Sequence, residues 1–117
     1  MTESTVLDQL VGEQLSAVTF VQDYLQLWFD GPGLNITNPL TVSSENGHIV
    51  SWEEGFRDLL CGQIAKIVSS VVWTEGVAIE IFFTDESSLS VSLRPDDYNG
   101  PEAIYGHGFK GDVEIVA

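Results

Sequence analysis

The segments YLQLWFDGPGLNI (residues 24–36) and IEIFFTDESSLSV (residues 79–91) write one pattern twice: apolar side chains at every second position, a polar turn, then alternation again. A period of two is the mark of strands that lay one face on a core. A chain of 117 residues that carries it twice is therefore committed to sheets that hide one parity of their side chains.

The correspondence extends on both sides. Asp8 to Gly12 matches Asp58 to Gly62, and Leu15 and Val18 match Ile64 and Ile67. Leu25, Leu27 and Phe29 match Ile79, Ile81 and Phe83, and Leu34 and Ile36 match Leu89 and Val91. The offset changes where turn residues lie, as insertions in structural repeats do. Ser51 with Glu54 three residues later reads as a capping box, with Trp52, Phe56, Leu59 and Leu60 on one helical face and Gly62 as a left-handed cap. Residues Thr5 to Val11, closed by Gly12, read as a weaker version of the same helix.

Leu15 and Val18 stand three apart, which suits a bulge or a continuing helical turn. Asn38-Pro39 interrupts, bulges or edges its strand, because proline lacks a ladder donor. The fold class read from this is α+β: two pseudo-repeats, about 5–43 and 51–94, each a short helix followed by a three-stranded antiparallel meander. With the alternating tail Asp112 to Val116 that makes six or seven strands and two helices in one domain, 1–117, the C-terminal extension being 95–117. Open sheet, barrel and sandwich are equally compatible with the pattern.

Charge narrows the partners. Eighteen Asp and Glu against four Lys and Arg give a formal net charge of −14, which nucleic acids and anionic membranes repel. No apolar run approaches the roughly 18 residues of a membrane span, and the first basic residue, Arg57, comes too late for a secretory leader. The single cysteine, Cys61, forms no internal disulfide and reads as a small buried residue in a reducing compartment. A cytoplasmic protein is expected.

Three stretches, FVQDYLQLWFDGP (residues 20–32), FRDLLCGQI (56–64) and LSVSLRPDDYNGPEA (89–103), resemble a family of small uncharacterised bacterial proteins. The resemblance implies a bacterial origin and a compact stand-alone domain, and it brings no activity or site with it.

A reaction centre is not legible. His48 and His107 lie among glycines and outside any H-E-x-x-H spacing. The loop Arg94 to Glu102 holds Asp97 and Glu102 but lacks the spacing of a calcium loop. Neither G-x-S-x-G nor a glycine-rich phosphate loop follows a strand. No metal and no cofactor is expected, and the enzyme reading is disfavoured.

The aromatic residues are more suggestive. Tyr24, Trp28 and Phe82 occupy the parity opposite the apolar one, so these strands carry bulk on both faces. Helices or the other half's sheet would cover the second face in the plainer reading; an exposed partner face, or a homodimer contact, is the sharper one. Two functions follow. The first is an acidic interaction module binding a protein through Tyr24, Trp28 and Phe82, as immunity proteins and antitoxins neutralise basic partners. The alternative is a small-molecule binder or hydrolase with His48, His107, Asp97 and Glu102 meeting in a crevice between the halves.

Overall fold

The structure, a computed structural model, describes residues 6–45, 47–111 and 113–117. Alternation dominates it. Strands β1 (Leu15–Phe20), β2 (Leu25–Phe29), β3 (Gly33–Ile36), β4 (Leu40–Ser44), β5 (Gly47–Val50), β6 (Val68–Thr74), β7 (Ala78–Phe83), β8 (Ser88–Ser92), β9 (Ile104–Phe109) and β10 (Val113–Val116) pair antiparallel throughout. Sheet 1 runs β1-β2-β3-β9-β10 and sheet 2 runs β5-β4-β8-β7-β6. The meander β1-β2-β3 is thus completed by a hairpin from the end of the chain, and the meander β6-β7-β8 by the hairpin β4-β5 from the middle.

The inward parity builds one core. Leu25, Leu27, Phe29, Leu34, Ile36 and Ile104 of sheet 1 and Leu40, Val42, Ile79, Ile81, Phe83, Leu89 and Val91 of sheet 2 belong to a single buried cluster. Leu7, Leu10, Phe56 and Leu60 join the same cluster from the helical segments. Each fully buried aliphatic or aromatic side chain contributes about 1.5–3 kcal/mol.

The α+β layout is overturned by these strands. Among the described residues the helical content is one short helix, α1 (Phe56–Cys61), the α-helical pair Val6 and Leu7 leading into the turn Asp8–Leu10, and the turn Pro95–Asp97. Thr5 and Asp112 lie outside the described residues. The expected tail strand is present as β10, and β4, β5 and β9 make up the shortfall in the expected count. Hydroxyls and glycines run through these three, so their alternation is faint. Asn38-Pro39 falls between β3 and β4, where the chain leaves sheet 1 for sheet 2, so the proline marks an interruption.

Ser51 is also not a helix cap. Its N–H donates to the Leu40 carbonyl and its hydroxyl accepts from the Leu40 N–H, which closes the β4-β5 hairpin. Trp52 follows in a left-handed conformation, φ 71°, and the helix begins only after Gly55. Cys61, at the end of α1, is exposed and takes no part in the core. No described helix is long and apolar enough to cross a membrane.

The two sheets are joined at one corner by a reciprocal set of hydrogen bonds. Gln14 bridges Ile67. Gly12 N–H donates to the Val68 carbonyl and Ala65 N–H to the Leu15 carbonyl, both at 2.8 Å, while Leu15 N–H donates to Lys66 and Val68 N–H to Glu13 at 3.0 and 2.9 Å. Each bond has a mate fifty-three residues away along the chain, the reciprocity of an isologous two-fold contact. A bulge follows Leu15 in β1 and another follows Val68 in β6, at matching places.

This replaces the pairing of Gly12 with Gly62. Gly62 is right-handed, φ −65°, and the residue answering Gly12 (φ 88°) is Ala65 (φ 82°). The two positions therefore respond oppositely to one methyl group. Gly12→Ala, whose new Cβ meets nothing within 4 Å, is expected to destabilise by about 1 kcal/mol through backbone strain alone. Ala65→Gly is expected to stabilise by roughly 0.5 kcal/mol, strain relief exceeding the added freedom of the unfolded chain. Urea unfolding with unchanged m-values checks both signs.

Candidate functional site

Since the inward parity is consumed by the core, function is left to the outward parity, and the two sheets differ there. On sheet 1, register sets two rows across the strands. One row is Ala17, Trp28, Gly33 and His107; the other is Thr19, Gln26, Asn35, Tyr105 and Val116. None of these nine residues is charged, in a chain with twenty-two charged side chains.

The rows are knit together. Trp28 and His107 rings meet edge to face at 5.4 Å, and Tyr105 lies 6.0 Å from His107. Trp28 Nε1–H donates to Thr19 Oγ1 at 3.2 Å, and Gln26 Nε2–H donates to Asn35 Oδ1 at 3.0 Å. Gly33, between Trp28 and His107, is what lets the rings close over the backbone. A Cβ there would stand 2.8 Å from Trp28 Cε3 and Cζ3 and 2.9 Å from His107 Cε1. The result is a semi-rigid aromatic and amide platform.

On sheet 2 the matching rows are Ser70, Phe82, Ser88, Ser43 and His48, and Val72, Glu80, Ser90, Thr41 and Val50. Small hydroxyls replace most of the rings and amides. A shallow groove of about 520 Å³ runs over this face, with Thr41, Ser90, Ser92, Glu80, Arg94 and Asp97 among its lining residues.

The expected site residues are accordingly dispersed. Trp28 is half-buried on the outer face of sheet 1, Phe82 half-buried on the outer face of sheet 2, and Tyr24 half-buried in the β1-β2 connection. Those three do not share one face. His48 is exposed on the edge strand of sheet 2, whereas His107 sits in sheet 1. Asp97 ends a 3-10 turn and accepts from the Ser92 hydroxyl at 2.5 Å, and Glu102 is half-buried just before β9. The space between the sheets holds the apolar cluster, so the crevice that was to unite them is filled. No group of three or more His, Cys, Asp or Glu among the described residues stands ready to hold a metal ion.

One polar cluster has the ingredients of nucleophilic chemistry and went unread in the sequence. Ser87, almost fully buried, has its hydroxyl 2.5 Å from Asp85 Oδ1 and 2.9 Å from Gln63 Oε1, and Lys66 Nζ–H donates to it at 3.3 Å. A cavity of about 420 Å³ lies alongside. Lys66 is bound to Asp85 Oδ2 at 2.6 Å, so it is held as a cation and has no lone pair with which to take the serine proton. Asp85 is an equally poor base. Hydrogen bonds from Lys66, then from the Ser87 hydroxyl and N–H, hold its carboxyl well below the usual carboxylate range. The cluster instead ties the β7-β8 turn, with Glu86 left-handed at φ 73°, to the exit of α1.

No protein-family model, no curated protein and no solved structure matches this chain, so the family resemblance is taken no further.

Two outcomes are expected. Gly33→Ala should destabilise by about 1–3 kcal/mol and alter the near-ultraviolet circular dichroism, because the Trp28 and His107 rings must move apart. Asp85→Asn should remove a contribution to stability that is present above about pH 4 and is lost as pH falls, the sign for a carboxyl depressed in the folded state. Its size is that of a solvent-screened pair, ~0–1 kcal/mol, since Asp85 is about half exposed. Unfolding midpoints of both proteins at pH 7 and pH 3 measure the difference.

Proposed function

We propose that this is a cytoplasmic, non-enzymatic binding module whose recognition surface is the outer face of sheet 1. The observation that carries the reading is an aromatic patch whose nine named residues carry no charge, on a chain of net charge −14. Depletion of charged residues with enrichment of Tyr and Trp distinguishes the centre of a protein interface from ordinary surface, and such residues dominate binding energy.

The partner that fits is a protein with an apolar spot ringed by Lys and Arg. Acidic residues at the turns bordering the patch, Asp23 and Asp30, are exposed, and they favour a basic rim and speed the encounter. A second copy would bring its own acidic surroundings to the contact, which disfavours self-association. Neutralisation of a basic partner, in the manner of immunity proteins and antitoxins, is the kind of role this surface suits.

Tagged wild-type, Trp28→Ser, Tyr105→Ser and Phe82→Ser proteins, each verified as folded, provide the test. Basic proteins retained from lysate of the native host by wild type and by Phe82→Ser should be lost with the two sheet 1 variants. Titration of the purified partner should show a loss of thirtyfold or more for Trp28→Ser, about 2 kcal/mol. Retention of the same proteins by all four variants would sink the reading, and a dimer in sedimentation that Trp28→Ser dissolves would replace it with self-association.

A further inference from the structure

A second cluster lies at the end of the sandwich where α1 rests against β1 and β5. Phe20 closes β1, Trp52 stands in the turn after β5 and Phe56 opens α1. Their rings meet pairwise at 5.8–6.4 Å. The Arg57 guanidinium lies over Phe20 at 5.6 Å and over Trp52 at 5.7 Å.

Three features separate this cluster from a patch of core. Trp52 is 46% exposed, while the other tryptophans, Trp28 and Trp73, are half-buried. Its backbone is left-handed at φ 71°, a conformation that bulky residues avoid and that is held on both sides: Ser51 is bonded to Leu40, and the Glu53 carboxylate accepts from the Val50 N–H. Finally, Arg57 makes no ion pair among the described residues, although Glu53, Glu54 and Asp58 line the same cavity of about 310 Å³ with Trp52 and Arg57. It rests on the aromatic faces.

We propose that this end of the molecule is a docking surface for a basic segment of a partner protein, which lays an arginine or lysine side chain into the cavity beside Trp52. The side chain of Arg57 already demonstrates that a guanidinium seats against these rings, and tryptophan is the best aromatic partner for a cation. Three carboxylates against one guanidinium line the cavity, so an incoming cation is attracted and an anion is not. A second copy of this chain is a poor occupant because it would present the same acidic end. The proposal uses residues other than those of the sheet 1 platform, and either can fail alone.

An acetylated hexa-arginine amide is the probe, titrated calorimetrically at about 0.15 M salt so that diffuse attraction is screened beyond roughly 8 Å. Saturable binding to wild type is expected. Affinity should fall tenfold or more in Trp52→Gly, a change the left-handed backbone accepts, and recover in part in Trp52→Phe. It should fall similarly in the double variant Glu54→Gln/Asp58→Asn. A double variant neutralising two carboxylates elsewhere on the surface, Glu75→Gln/Asp96→Asn, should stay within about twofold of wild type. Absence of saturable binding overturns the proposal. So does an equal loss in both neutralised double variants with none in Trp52→Gly, which is the result diffuse attraction to a −14 chain produces.

Discussion

Everything in this molecule depends on two sheets that each own half of one apolar core. Neither sheet can hide Leu27 or Ile81 alone, and a two-stranded hairpin such as β4-β5 or β9-β10 is marginal until it joins a larger sheet. The chain meets this by stacking the sheets and by sending the β4-β5 and β9-β10 hairpins across to widen the opposite meander. The reciprocal bonds between residues 12–15 and 65–68 then lock the corner at which the sheets meet. They also explain why Ala65 tolerates a left-handed backbone, since its N–H is spoken for by the Leu15 carbonyl.

Once the inward parity is committed, the outward parity is free to differ. Inward, Leu25 answers Ile79, Leu27 answers Ile81 and Phe29 answers Phe83, all buried. Outward, Trp28 answers Phe82, but Asn35 answers Ser90, Tyr105 answers Thr41 and His107 answers Ser43. Packing demands only volume and apolarity from the first set. It demands nothing specific of the second, so an aromatic and amide platform on one sheet and a hydroxyl surface on the other read as specialisation laid over a common frame.

Ser87 has both a lysine and a carboxylate within reach, yet the lysine is ion-paired with that carboxylate and the carboxylate is stabilised as an anion. Such an arrangement holds a turn in place. Together with histidines on separate sheets and a filled interior, it directs attention to surfaces as the functional parts of the protein.

Period-two alternation determined from the sequence alone that Leu25, Leu27, Phe29, Leu34, Ile36, Ile79, Ile81, Phe83, Leu89 and Val91 face a core, and turn chemistry placed turns at Asp30 to Gly33 and Asp85 to Ser88, whose last residues, Gly33 and Ser88, instead open β3 and β8. Those facts are local, because parity and turn chemistry are decided within a few residues. Hidden from that reading were the strands β4, β5 and β9, where Gly47, Gly106 and Gly108 and a run of hydroxyls blur the alternation, whereas the tail strand β10 was legible. Ser51 to Glu54 imitated a helix start because spacing carries no information about Leu40, eleven residues upstream, which claims the serine. Which sheet a strand joins is a long-range choice among partners of equal local propensity. Only tertiary packing could therefore separate Trp28 from Phe82 and set Trp28 beside His107 and Tyr105.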